Sequence, residues 1–271
     1  MLVDAGHYNV HTVEGRYKPF AELLRSDGYV VLSLASRFDR RALDAGRILV
    51  VSNALAERND GRDNQGLPTY SAFAEDEVEA VREWVREGGS LLLIADHMPF
   101  PGAAEDLAAA FGVRFSNGYA VHEERLAPRP PLVFRRSGDQ RGSDGSLADH
   151  PITDGRDASE RVETVLTFTG QAFRSELGHP LLIFGPSILS LLPERPAVFD
   201  EDTPRVPVEG WYQGLVLKFG QGRAAFFGEA AMFSAQTTGE GRTMGLNAPG
   251  AEQNSQLLLN LMHWLSGILP D

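Results

Sequence analysis

Short apolar runs alternate with segments of helical spacing through the first half of the chain. Met1–Ala5 is an apolar run that closes on Asp4-Ala5-Gly6. Across Tyr17–Ser26, Phe20, Leu23 and Leu24 fall on one helical face, and Asp27-Gly28 supplies the stop. Tyr29–Leu34 predicts a strand and Asp39–Ala45 a short helix ending at Gly46. Arg47–Ser52 is a β-branched run of the kind buried on both faces of a parallel sheet. Glu75–Glu87 is the clearest helix. Val78, Val81 and Val85 form its stripe with Trp84 beside it, and Gly88-Gly89 ends it. Acidic residues crowd its first turn, where the helix dipole favours them. Ser90–Ala95 predicts the next buried strand and Ala103–Phe111 the next helix. Strands alternating with helices of this length predict βαβ units and a parallel sheet.

The pattern changes after that. Glu123–His150 is rich in Pro, Arg, Gly, Ser and Asp and reads as a long loop with one strand near Leu132–Phe134. Leu55–Gly66 and Arg135–Asp149 carry few apolar anchors, and both are expected to be mobile lids at a site mouth. Arg161–Phe168 and Pro180–Phe184 predict further strands. Trp211–Phe219 and Arg223–Gly228 flank Gly220-Gln221-Gly222, a hairpin turn. Gln253–Leu265 is an apolar closing helix. With neither an internal repeat nor a linker, residues 1–271 read as one domain. The expected class is an α/β three-layer sandwich with a mostly parallel central sheet and an antiparallel C-terminal hairpin.

Charge and composition narrow the function. The chain carries 25 Lys+Arg against 37 Asp+Glu, a formal charge of −12. An acidic surface repels phosphate backbones, so a nucleic-acid partner is not expected. No run of about 18 apolar residues occurs, so membrane insertion is not expected. The absence of cysteine removes disulfides, thiolate zinc sites and a cysteine nucleophile. Leu2-Val3 leads straight into Asp4 with no basic segment before it. That leaves the compartment open between the cytoplasm and export with the signal removed. Oligomeric state is open as well.

In an open parallel sheet, ligands bind beyond the carboxyl ends of the strands. The first strand delivers Asp4, His7, Asn9 and His11 there, and the Arg47–Ser52 strand delivers Asn53. Ser90–Ala95 delivers Asp96 and His97, and Arg223–Gly228 delivers Glu229. Mid-strand positions are almost purely apolar, so these polar groups are expected to converge on one site. Asp4, Asp96 and Glu229 are the catalytic candidates. His7, His11 and His97 are the candidate ligands for a divalent metal ion. Asn9, Tyr17 and Asn53 are the substrate-binding candidates. The competing structural reading is that Asp4 caps a turn and that His-x-x-x-His in a loop is a weak metal motif. His122, His150, His179 and His263 read as structural. No G-x-S-x-G elbow, P-loop or G-x-G-x-x-G is present, so no nucleotide cofactor is expected. Arg135, Arg136 and Arg141 read as a solvated loop face.

Gly220-Gln221-Gly222-Arg223, an apolar strand, and then Gly228-Glu229-Ala230-Ala231-Met232-Phe233-Ser234 resemble the ending of class I glutamine-amidotransferase-like domains. That group includes the GIFT domains of intraflagellar-transport and gliding-motility proteins and the ThuA-like proteins. Glu75–Asp96, with its Gly88-Gly89-Ser90-Leu91-Leu92-Leu93-Ile94-Ala95-Asp96 close, resembles another unit of the same group. The resemblance covers most of the chain and implies a flavodoxin-like sandwich. The amidotransferases of the group place a nucleophilic cysteine on a strand-to-helix elbow. Here the corresponding strand ends Ala95-Asp96-His97-Met98-Pro99, so glutamine hydrolysis by that route is excluded. Many members of the group bind carbohydrates or other ligands without catalysis.

Two expectations follow. The first is a hydrolase acting on a small ester, lactone or glycoside-like substrate through the Asp/His/Glu cluster, with or without a metal. The alternative is a binding module that grips sugar hydroxyls, with Tyr8, Tyr17 or Trp211 stacking on the ring.

Overall fold

The computed structural model describes the whole chain except residues 62, 64, 125–129, 137–141 and 240. The first half contains β1 (Leu2–Asp4), α1 (Lys18–Ser26), β2 (Leu32–Leu34), α2 (Arg40–Leu43), β3 (Ile48–Ser52), α3 (Glu75–Arg86), β4 (Ser90–Ile94) and α4 (Phe100–Ala109). Next come β5 (Val113–Phe115), β6 (Tyr119–His122), β7 (Leu132–Arg136), β8 (Gly145–Leu147), α5 (Pro151–Asp154), β9 (Thr164–Thr167) and β10 (Phe173–Ser175). The rest comprises β11 (His179–Phe184), β12 (Ile188–Leu191), β13 (Arg205–Pro207), β14 (Tyr212–Phe219), β15 (Gly222–Phe227), β16 (Ala235–Thr237), β17 (Thr243–Gly245) and α6 (Asn254–Leu265).

The main sheet runs β2-β1-β3-β4-β15-β14-β11-β8-β7-β9. From β2 to β15 every neighbouring pair is parallel. The β14–β15 hairpin then reverses direction, as the Gly220-Gln221-Gly222 turn predicts. Strand side chains alternate between faces. Val3, Val50, Leu92, Ile94 and Phe227 pack on one side with Phe20 and Leu24 of α1 and Leu257 and Leu261 of α6. Leu2, Val51, Leu93 and Phe226 pack on the other with Val81, Trp84 and Val85 of α3 and Leu107 of α4. The chain is therefore an α/β sandwich with helices on both faces. Strand order reverses between β1 and β3, which fixes where a ligand crevice belongs.

The glycines at the β14–β15 turn have a steric cause. A Cβ on Gly222 would sit 2.1 Å from the carbonyl oxygens of both Val85 and Gly89. Those are backbone atoms at the end of α3, so neither can swing away. The two glycine-bearing segments singled out in the sequence thus meet in space. Gly222→Ala is expected to destabilise the fold by about 3 kcal/mol, the upper end of ordinary overpacking. Chemical denaturation of both proteins checks this.

Several sequence expectations need correction. The segment Glu123–His150 is not one long loop, because β7 extends to Arg136 and β8 joins the sheet between β7 and β11. Arg135–Asp149 therefore lies several strands away from β1 and β3 and does not border their ends; residues 137–141, including Arg141, lie outside the described residues. Arg136 is not on a solvated face. It is buried, donates to the Thr153 hydroxyl at 2.8 Å and pairs with Asp154 at 2.7 Å and Asp149 at 3.1 Å. Leu55–Gly66 does lie at the strand ends, but it is anchored. Leu55, Ala56 and Asn59 are buried, and the Asn59 carboxamide accepts the Tyr70 N–H at 2.8 Å. Residues 62 and 64 of that loop lie outside the described residues. The sequence pattern does not predict β5, β6, β8, β10, β12, β13, β16 and β17, because each is short and none shows a sustained alternation.

Candidate functional site

Asp4, the last residue of β1, is buried, and the chain leaves the sheet immediately after it. Its Oδ1 accepts the Gly6 N–H at 3.0 Å and its Oδ2 accepts the Asn9 amide at 2.9 Å. Asn9 in turn accepts the His7 N–H at 3.0 Å. This turn aims the His7 ring back at the sheet. His7 Nδ1 lies 2.9 Å from Asp4 Oδ1, and Nε2 lies 3.0 Å from Glu77 Oε1. Both ring nitrogens face carboxylate oxygens, so both donate and the ring is an imidazolium. Burial opposes that charge, but the hydrogen bonds and charges of Asp4 and Glu77 outweigh it and raise the His7 pKa. Burial likewise opposes the Glu77 charge, and the Ala74 and Phe38 N–H groups with His7 reverse it, lowering the Glu77 pKa. Phe38 and Phe73 pack against the imidazole at 4.4 and 4.9 Å between ring centres.

His11 turns to the opposite side of the sheet. It packs on Tyr17 at 4.8 Å, and its Nδ1 accepts from the Asn53 amide at 3.1 Å. Its Nε2 is buried with no hydrogen-bond partner among the described residues. Burial, followed by the charges of Arg16 and His97, lowers its pKa to about 3, so this ring is neutral. Asn53 sits in the left-handed region at φ 48° and ties the strand ends together. Its Oδ1 accepts the Asp96 N–H at 2.9 Å. Tyr17 is fully buried and donates to the Ala230 carbonyl at 3.1 Å.

Asp96 and Glu229 are neighbours beyond β4 and β15. Glu229 is buried, and its two oxygens accept the Ala231 and Met232 N–H groups at 2.8 and 2.7 Å, closing a 3₁₀ turn over Ala231–Phe233. Burial, reinforced by the Asp96 charge, holds the Glu229 pKa well above the usual carboxylate range despite those donors. Asp96 Oδ1 accepts the His97 N–H at 2.7 Å. His97 is half-buried and stacks on Tyr119 at 4.4 Å. Its Nδ1 donates to the Met98 carbonyl at 2.9 Å, which leaves Nε2 as the basic atom.

The strand ends therefore do carry the polar residues, but in two clusters. Asp4, His7 and Asn9 form one with Glu77. Asn53, His11, Tyr17, Asp96, His97 and Glu229 form the other. Asn9 approaches the second through the Ser52 carbonyl at 3.3 Å. A metal ion shared by His7, His11 and His97 does not fit this arrangement. Both His7 nitrogens are engaged, and His11 points away from it. Among the described residues, no group of three or more His, Asp or Glu side chains is placed to hold an ion. Glu77 was missed in the sequence, where it looked like one more dipole-favouring acid. Its spacing three residues after Ala74 was the available signal, because its Oε2 accepts the Ala74 N–H at 3.0 Å.

Above the first cluster, over the ends of β1 and β3, lies an open groove of about 470 Å³. His7, Tyr8, Glu57, Arg58, Tyr70 and Ser71 line it. Tyr8 is 45% exposed and Tyr70 42%. The Arg58 guanidinium lies 5.3 Å from the Tyr70 ring centre.

No family model matches the sequence, and no curated protein matches it either. Solved structures do share its architecture. The N-terminal domain of IFT52 superposes with a TM-score of 0.66 at 16% identity, over 98% of this chain and 97% of that one. A cytoplasmic protein of Salmonella typhimurium LT2 gives 0.51 at 14% identity, over 94% of this chain and 87% of that one. A ThuA-like protein from Bacteroides uniformis gives 0.50 at 12% identity, over 97% and 89%. At these identities the likeness is one of fold. No helix among the described residues is long and apolar enough to cross a membrane.

Proposed function

We propose that this chain is a ligand-binding module whose ligand occupies the groove over β1 and β3, with residues 1–271 acting as one domain. The sheet order β2-β1-β3-β4-β15 supports a flavodoxin-like unit of the glutamine-amidotransferase-like group. One observation carries the binding reading. The acids at the strand ends are buried and already hydrogen-bonded to His7 or to backbone N–H groups, whereas the adjoining groove is open. Two half-exposed tyrosines flanked by a carboxylate, a guanidinium and a hydroxyl suit a small hydroxylated molecule such as a sugar. The ring faces supply apolar contact, and the polar groups orient the hydroxyls. The strand-end network below fixes the groove floor.

A hydrolase acting on a small ester, lactone or glycoside is the second reading. It rests on the Asp96–Glu229 pair and the half-buried His97. In it, His97 Nε2 takes a proton from the attacking water, and Glu229 holds a proton for the leaving group.

Titration calorimetry against a panel of mono- and oligosaccharides separates the two. Tyr8→Ala and Tyr70→Ala are each expected to weaken sugar binding at least tenfold while leaving the unfolding temperature unchanged. If no sugar binds, and nitrophenyl esters or glycosides are turned over by the parent but not by His97→Ala, the hydrolase reading takes its place.

A further inference from the structure

A second cavity, of about 770 Å³, lies away from the strand-end clusters, where β5 and β10 pair beside the start of β14. Arg114, Arg174, Glu176, Trp211 and Tyr212 are among its lining residues. The antiparallel register sets Arg174 directly opposite Arg114. Opposite residues of a ladder point to the same face. On the alternate face, Phe173 and Phe115 meet edge to face at 5.6 Å. The two guanidiniums therefore both project outward, into the cavity.

That placement is unfavourable by itself, because like charges directly opposite in a ladder repel. A direct ion pair with an acid does not relieve it among the described residues. Among the described residues, neither Arg114 nor Arg174 takes part in an ion pair within 4 Å, whereas eight other arginines do. Glu105 is within electrostatic reach of Arg114, but its Oε2 already accepts the Phe115 N–H at 3.0 Å. Glu176 lies on the cavity wall without pairing with either arginine. Arg174 is also held in place: its guanidinium lies 4.3 Å from the Trp211 ring centre. Stacking of this kind orients the planar fork and leaves its N–H edge free for a partner.

We infer that this cavity is an anion site that takes the phosphoryl group of a small organic phosphate between Arg114 and Arg174. A tetrahedral dianion offers oxygens to both forks at once and removes the repulsion between them. The cavity is several times larger than the oxyanion alone and leaves room for the organic part beside Trp211 and Tyr212. In a chain of formal charge −12, two unpaired, facing arginines are a local reversal of the surface field.

The test uses the whole chain, with phenyl phosphate, inorganic phosphate and phenol as probes, read by thermal unfolding and by tryptophan fluorescence. Phenyl phosphate is expected to raise the unfolding temperature at millimolar concentration and to change the Trp211 emission, an effect absent in Trp211→Phe. Phenol is expected to do neither. Arg114→Gln and Arg174→Gln are each expected to weaken phenyl phosphate binding at least tenfold. Arg114→Gln should also raise the unfolding temperature of the ligand-free protein at low salt, with the gain shrinking as salt screens the pair. That second readout shows that the variant folds. Inorganic phosphate acting as strongly as phenyl phosphate overturns the organic ligand class. An equal response in the parent and both glutamine variants, or an equal response to phenol, overturns the site.

Discussion

Replacing His7 with alanine is expected to destabilise the fold by about 3–5 kcal/mol, the usual cost of removing one partner from a buried charge network. The reason is the company that His7 keeps. Asp4 and Glu77 are both buried, and the imidazolium is the charge between them. Without it, two carboxylates remain in a site walled by Phe38 and Phe73. For a chain of this size the loss corresponds to a fall of about 10 °C in unfolding temperature. Scanning calorimetry or urea titration measures it. The pH dependence has a definite sign. The His7 pKa is raised on folding, so its contribution is complete below the unfolded value near 6.5 and is lost as pH rises through the folded value. The Glu77 pKa is lowered, so its contribution is complete above the unfolded value near 4.5 and is lost as pH falls through the folded one. The stability difference between parent and variant should therefore be largest between those limits and shrink on either side. A difference that grows steadily into alkaline pH would contradict the imidazolium.

The second large effect is expected at Glu229. Glu229→Ala removes the acceptor of the Ala231 and Met232 N–H groups, both within a buried turn. Each orphaned donor costs about 1–3 kcal/mol, so a total loss of about 2–6 kcal/mol is expected. Asp96→Asn should act in the opposite sense at high pH. Burial and the Asp96 charge raise the Glu229 pKa on folding, so this group contributes most below the unfolded value near 4.5 and loses stability as pH rises. Removing the Asp96 charge relieves part of that loss. The asparagine keeps an oxygen for the His97 N–H. Stability curves from pH 5 to pH 9 should thus be flatter for Asp96→Asn than for the parent. Parallel curves would mean that the two carboxylates do not feel one another.

The parallel half of the sheet was legible because its strands, apart from the exposed edge strand β2, are buried on both faces and its helices carry one apolar stripe each. Arg47–Ser52 and Ser90–Ala95 have no other plausible burial, and Gly88-Gly89 marks the end of α3 without help from the rest of the fold. The carboxyl-edge rule also placed Asp4, Asn53, Asp96 and Glu229 at the ends of β1, β3, β4 and β15, where they lie. What it missed was how they pair. Asp4, His7 and His11 are close in sequence, and that closeness points to a shared ligand. His7 pairs with its neighbour Asp4 and also with Glu77, seventy residues on, and nothing local points to that second partner. The partner of His11 is Asn53.

Sequence by itself determined the class of fold, the buried parallel strands β1, β3 and β4 and the concentration of polar groups beyond their ends, because those follow from periodicity and burial over a few residues. Only the tertiary structure decided that Tyr17 is core rather than lining, that Arg136 is a buried anchor, and that the strand-end acids are held by imidazole or backbone N–H groups. It also decided that Arg114 faces Arg174 across a ladder of two short strands. Each of those depends on which distant segments pack together. Side-chain burial and charge pairing are properties of that packing, and no spacing along the chain encodes them.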